Sequence, residues 1–134
     1  MLRKLLITGA LLVALLSAPA GTALADVTQV NATFTSATLI DPAHALVEGT
    51  VTCDAPASGS MFVLLRQRGG LFFGFRQAGA TVGVACGPTP TPFSLLVTGG
   101  PLHRGPAFVE ASLSVSDQFG QFAQNTILTT VTIR

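Results

Sequence analysis

Ala45-Leu46-Val47-Glu48-Gly49-Thr50-Val51-Thr52-Cys53 alternates with a period of two. Ala45, Val47, Gly49, Val51 and Cys53 fall on one side, with Glu48, Thr50 and Thr52 on the other. Side chains of a strand alternate across the sheet, so this segment is a half-buried strand with one wet face. Cys53 lies on its apolar face.

The same period recurs on either side. Ala107, Val109, Ala111, Leu113 and Val115 oppose Glu110, Ser112, Ser114 and Ser116, and Val82, Val84 and Cys86 oppose Thr81, Gly83 and Ala85. Further strands are expected near Val30–Leu39, Met61–Gln67, Leu71–Gln77, Phe93–Thr98 and Phe122–Ile133. A turn at Asp41-Pro42, a loop over Asp54–Ser60, a hairpin signal at Arg68-Gly69-Gly70 and a Pro-rich connection through Pro88, Pro90 and Pro92 separate them. Nothing from residue 26 onward has helical periodicity. The pattern predicts an all-β fold, a Greek-key β-sandwich of about seven to nine strands. Both cysteines sit on apolar strand faces, which predicts a Cys53–Cys86 disulfide within the core.

Gly49-Thr-Val-Thr-Cys53, Leu64-Leu-Arg-Gln67, Val84-Ala-Cys86, Phe93-Ser-Leu-Leu-Val97 and Gly105-Pro-Ala107 leading into Val109-Glu-Ala111 together resemble small secreted actinobacterial proteins with an immunoglobulin-like sandwich. The resemblance covers most of the chain after residue 25 and implies that fold. It brings no activity and therefore no functional residues. The chain departs from antibody-type domains, having neither a Trp to pack on the disulfide nor a Tyr for a tyrosine corner.

The first twenty-five residues read as a signal peptide. Arg3 and Lys4 precede the apolar run Leu5–Leu16, and Ala23-Leu24-Ala25 forms a small-x-small cleavage site before Asp26. Residues 26–134 then form one domain, secreted or held at the cell wall, and the oxidising compartment favours the disulfide. That domain holds five arginines against six carboxylates and no lysine, a net charge of −1 with neutral histidines. It lacks the basic footprint of a nucleic-acid binder. No apolar run after the leader is long enough to span a membrane.

The catalytic inventory is thin. His44 and His103 are the only imidazoles, each beside a turn, and neither has a second ligand at metal spacing. No G-x-S-x-G elbow occurs. Glu48 and Glu110 lie on wet faces and would meet only if their strands were neighbours. No enzyme, metal site or cofactor is expected.

Arg66-Gln-Arg-Gly-Gly-Leu-Phe-Phe-Gly-Phe-Arg-Gln77 stands apart. Arg66, Arg68 and Arg76 flank Leu71, Phe72, Phe73 and Phe75, combining residue types enriched at interface hot spots. Either the rings cap the open end of a small core under arginine stems, or they form a surface for a protein, cell-wall or glycan partner. Phe119 and Phe122 would extend that surface if their turn lay at the same end. The expected role is a secreted, non-catalytic binding or structural module. Two alternatives stand beside it. One is a small-molecule carrier resembling the secreted apoproteins of chromoprotein antibiotics, which have two disulfides where this chain has one. The other is a small hydrolase or hydrolase inhibitor.

Overall fold

A computed structural model describes residues 26–69 and 75–134. The described chain is all-β: β1 (Val30–Asp41), β2 (His44–Cys53), β3 (Ala57–Arg68), β4 (Phe75–Cys86), β5 (Thr91–Gly99), β6 (Gly105–Ser116) and β7 (Phe122–Ile133). The decisive segment is β2, and Ala45, Val47, Gly49, Val51 and Cys53 are all buried along it.

Two hydrogen-bonded groups carry most of the ladder. β1, β2 and β5 form one, with Phe34, Gly49 and Phe93 level across it. β4, β3, β6 and β7 form the other, in unbroken antiparallel register. Their inward residues interleave in one core that includes Met61, Leu65, Val47, Val97, Val109 and Ile133.

The expected open sandwich closes into a seven-strand barrel in the order β1-β2-β5-β4-β3-β6-β7. Both seams are narrow. β4 meets β5 over Ala78–Gly99 and Gly79–Thr98 alone. Gly99 permits this approach, because at φ +148° it stands where a Cβ would lie 2.9 Å from Ala78 Cα. β1 meets β7 in parallel at Ala37–Ile133. There Leu39 N donates to Arg134 O at 2.8 Å and Arg134 N to Ala37 O at 3.0 Å.

Strand bounds also differ from expectation. From Phe75 onward, the strands expected near Leu71–Gln77 and Val82–Cys86 are one element, β4, whose alternation runs through Ala78 and Ala80 without a turn, while residues 71–74 lie outside the described residues. β3 starts at Ala57, inside the expected Asp54–Ser60 loop. The β3–β4 connection begins at Gly69, because Arg68 already pairs with Phe75.

At the opposite end the seams open and other devices hold the chain. Cys53 of β2 is bonded to Cys86 of β4, strands that share no ladder, with Cα atoms 5.4 Å apart. Residues 27–29 are tied down by two carboxylates. Asp117 accepts Val27 N–H at 3.0 Å, while Asp54 accepts Thr28 N–H at 2.8 Å, Gln29 N–H at 3.0 Å and the Thr28 hydroxyl. The Thr28 hydroxyl, then the two backbone donors, pull the Asp54 pKa down to about 2. The Val27 amide, with those of Phe119 and Gln121, lowers that of Asp117.

Candidate functional site

Even-numbered residues of β3 and β6 point outward, and the register decides which of them meet. Arg66 lies level with Phe108, Leu64 with Glu110 and Phe62 with Ser112. One strand further, Glu110 lies level with Leu128 and Phe108 with Thr130. The outer face of β3, β6 and β7 therefore carries large apolar groups where a wet face normally carries polar ones. Phe62 is 45% exposed, Phe108 53% and Leu128 76%. Apolar side chains gathered on one exposed face mark an interaction surface more often than scattered ones do.

Among them lies an ion pair, Arg66 Nη2 to Glu110 Oε2 at 3.4 Å. Both partners are partly exposed, so the pair contributes no more than about 1 kcal/mol to stability. Arg66 Nε is buried and has no hydrogen-bond partner among the described residues. Arg66, Glu110, Phe108, Leu128 and Thr130 line a groove of about 420 Å³. A second, more polar groove of about 620 Å³ continues along the same face between Ser60, Phe62, Ser112, Ser114, Gln124 and Thr126. The arrangement offers apolar contact, one bidentate-capable guanidinium, a carboxylate and a field of hydroxyls.

The three arginines expected to act together are separated. Arg66 and Arg68 occupy outward positions of β3, whereas Arg76 pairs with the inward Gln67 and points over the barrel end, 3.5 Å from Pro101 O. Leu71, Phe72 and Phe73, with the side chain of Phe75, lie outside the described residues. Phe119 and Phe122 are exposed, but their turn is at the Cys53–Cys86 end, roughly 30 Å along β3 from Arg68. The condition on which they would extend that surface, a turn at the same end, is not met.

The remaining polar groups serve the framework. His44 Nδ1 meets Asp41 Oδ1 at 2.8 Å and lowers the carboxyl pKa of Asp41. Gln67, buried within the barrel end, donates to His103 O at 2.8 Å and accepts His103 N–H at 2.9 Å. Glu48 and Glu110 sit on strands that are not neighbours. Among the described residues no three His, Cys, Asp or Glu side chains gather as metal ligands would.

Phe62, Phe108 and Leu128 were legible in principle. Phe108 stands between the inward Ala107 and Val109, so alternation turns it outward, next to Glu110 in the wet series. What the sequence does not give is the register that brings it beside Arg66.

No protein-family model matches the chain. No curated protein matches it either. A crystal structure of the sporulation control protein Spo0M from Bacillus subtilis is similar over 83% of this chain and 50% of that one, with 11% identity and a TM-score of 0.36. The chain thus spans about half the length of that structure, and a likeness this shallow carries no argument about function.

Proposed function

We propose that residues 26–134 form an exported, non-catalytic binding module that engages its partner through the outer face of β3, β6 and β7. The observation that carries this reading is the exposed set Phe62, Phe108 and Leu128 around the Arg66–Glu110 pair. Aromatic and Arg groups are over-represented among interface residues that dominate binding energy. The disulfide and the leader-like N-terminus support export. An immunoglobulin-like ancestry fits the strand sets β1-β2-β5 and β4-β3-β6-β7, which correspond to A-B-E and C′-C-F-G of such sandwiches.

The test isolates the protein from its own host and identifies what copurifies by native mass spectrometry and from wall fractions. Phe108→Ser and Arg66→Ala are compared with the unaltered chain. Each variant is expected to keep its melting temperature within a few degrees and to lose affinity for the copurifying partner by about thirtyfold or more. Undiminished binding by both folded variants would remove this face as the site.

A further inference from the structure

The chemistry of the outer face of β3, β6 and β7, once that face is read as the binding site, narrows the class of partner it fits. Residues level with one another form rows across it. Phe62 stands with Ser112 and Thr126, Leu64 with Glu110 and Leu128, and Arg66 with Phe108 and Thr130. Ser60, Ser114 and Gln124 make a fourth row beside that of Phe62. The four rows extend about 20 Å along the strands. Phe62 and Phe108 lie on either side of the Glu110 row, their Cα atoms about 14 Å apart.

Three features of these rows bear on the occupant. Their charged groups are Arg66 and Glu110, which pair with each other, so the face has no excess of either sign to draw a polyanion or a polycation. Ser60, Ser112, Ser114, Thr126 and Thr130 carry hydroxyls, each able both to donate and to accept, and Gln124 adds an amide with the same two capacities. The middle of the face is also unlike the core of a protein–protein interface, where Glu and Ser are depleted. Here Glu110 is central, and Ser112 stands directly beside Phe62.

We infer that the partner is a neutral polysaccharide in an extended, ribbon-like form, lying nearly along the strands with sugar rings over Phe62 and Phe108. The face of a phenyl ring is electron-rich, and the C–H bonds on the flat side of a pyranose point weakly positive hydrogens at it. Hydroxyls project from the edges of such a ribbon, where the Ser and Thr side chains meet them. Between the two rings, Glu110 accepts from one hydroxyl and Arg66 donates to its neighbour, both through charge-assisted hydrogen bonds. A long occupant also suits the shape, since the two grooves follow one another along the open face instead of closing into a single pocket.

Affinity electrophoresis of protein produced from the full chain tests this, in native gels containing hydroxyethylcellulose, mixed-linkage β-glucan, xylan, arabinogalactan or dextran, with polygalacturonate as an acidic counterpart. At least one neutral polymer is expected to retard the protein, and titration calorimetry with it should give the same affinity at low and high salt. Phe62→Ala and Glu110→Ala, each checked for an intact melting transition, should weaken that binding about tenfold or more. Leu96→Ala, which removes an exposed side chain from β5 in the other strand group, should leave it unchanged. Retardation by none of the neutral polymers overturns the inference, as does retardation by polygalacturonate alone that salt abolishes. A copurifying protein that Phe108→Ser releases, with no polysaccharide bound, overturns it while leaving this face as the binding site. Polysaccharide binding that survives the loss of Phe62, Glu110 and Phe108 alike removes both the inference and the site.

Discussion

Gly49 is held level with Phe34 on one neighbouring strand and Phe93 on the other, and those rings meet edge to face at 5.6 Å between centroids. The missing side chain makes the room. A Cβ at Gly49 would overlap the Thr33 carbonyl oxygen and come within 2.9 Å of the Phe93 ring. Neither neighbour has slack, since one is ladder backbone and the other is a buried aromatic. Gly49→Ala is therefore expected to destabilise the protein by about 2–3 kcal/mol, an overpacking effect in a strand, where Gly is ordinarily less favourable than Ala. Urea unfolding checks it through a lowered midpoint at unchanged slope. A midpoint equal to that of the parent would mean that Phe93 swings aside, and the ring pair would then be incidental to the core.

The segment Val27–Gln29 carries no strand of its own, yet it is held to the barrel by side chains of two distant connections, Asp54 after β2 and Asp117 after β6. Both carboxyls have folded pKa values below the ordinary range, that of Asp54 at about 2. A depressed folded pKa favours the folded state fully above the unfolded value, near 4, and the contribution disappears as pH falls through about 2. Acidification over that window should release the Val27, Thr28 and Gln29 amides to exchange before the β2–β5 ladder opens. Asp54→Asn should show rapid Thr28 and Gln29 exchange already at neutral pH. Equal protection of these amides at pH 7 in the variant would contradict the hook. Nothing in the residues near Val27 announces this arrangement, because both partners are far away in the chain. Strand content was legible for the opposite reason: alternation along Ala45–Cys53 or Ala107–Val115 is local, and burial followed it residue by residue. Arg66 was legible as a candidate interface residue by its type alone. Its company was not, because the wet-face positions of Phe108 and Leu128 gain meaning only once a ladder sets them beside Arg66.

The whole molecule has two unlike ends. At one, hydrogen bonds close both seams, through Ala78–Gly99 and Ala37–Ile133, while Gln67 fastens the connection that runs to β6. At the other, β4 and β5 separate, and the Cys53–Cys86 bond is the covalent tie between the two halves of the ladder. It joins residues 33 apart, and closing such a loop restricts the unfolded chain by about 4 kcal/mol in the loop-entropy model. Unfolding of a domain this size takes about 5–15 kcal/mol, so the bond holds a large share. The double variant Cys53→Ala, Cys86→Ala should therefore lose about 3–4 kcal/mol in urea unfolding. Its position implies more than a lowered midpoint. Exchange should quicken first at Val82–Cys86 and Thr91–Phe93, where no ladder spans the seam, while Ala78, Gly79 and Gly99 keep their protection. Uniform acceleration around the barrel would show instead that the bond acts only on the unfolded chain, and that the inward packing of Val51, Val84 and Phe93 closes this end without it.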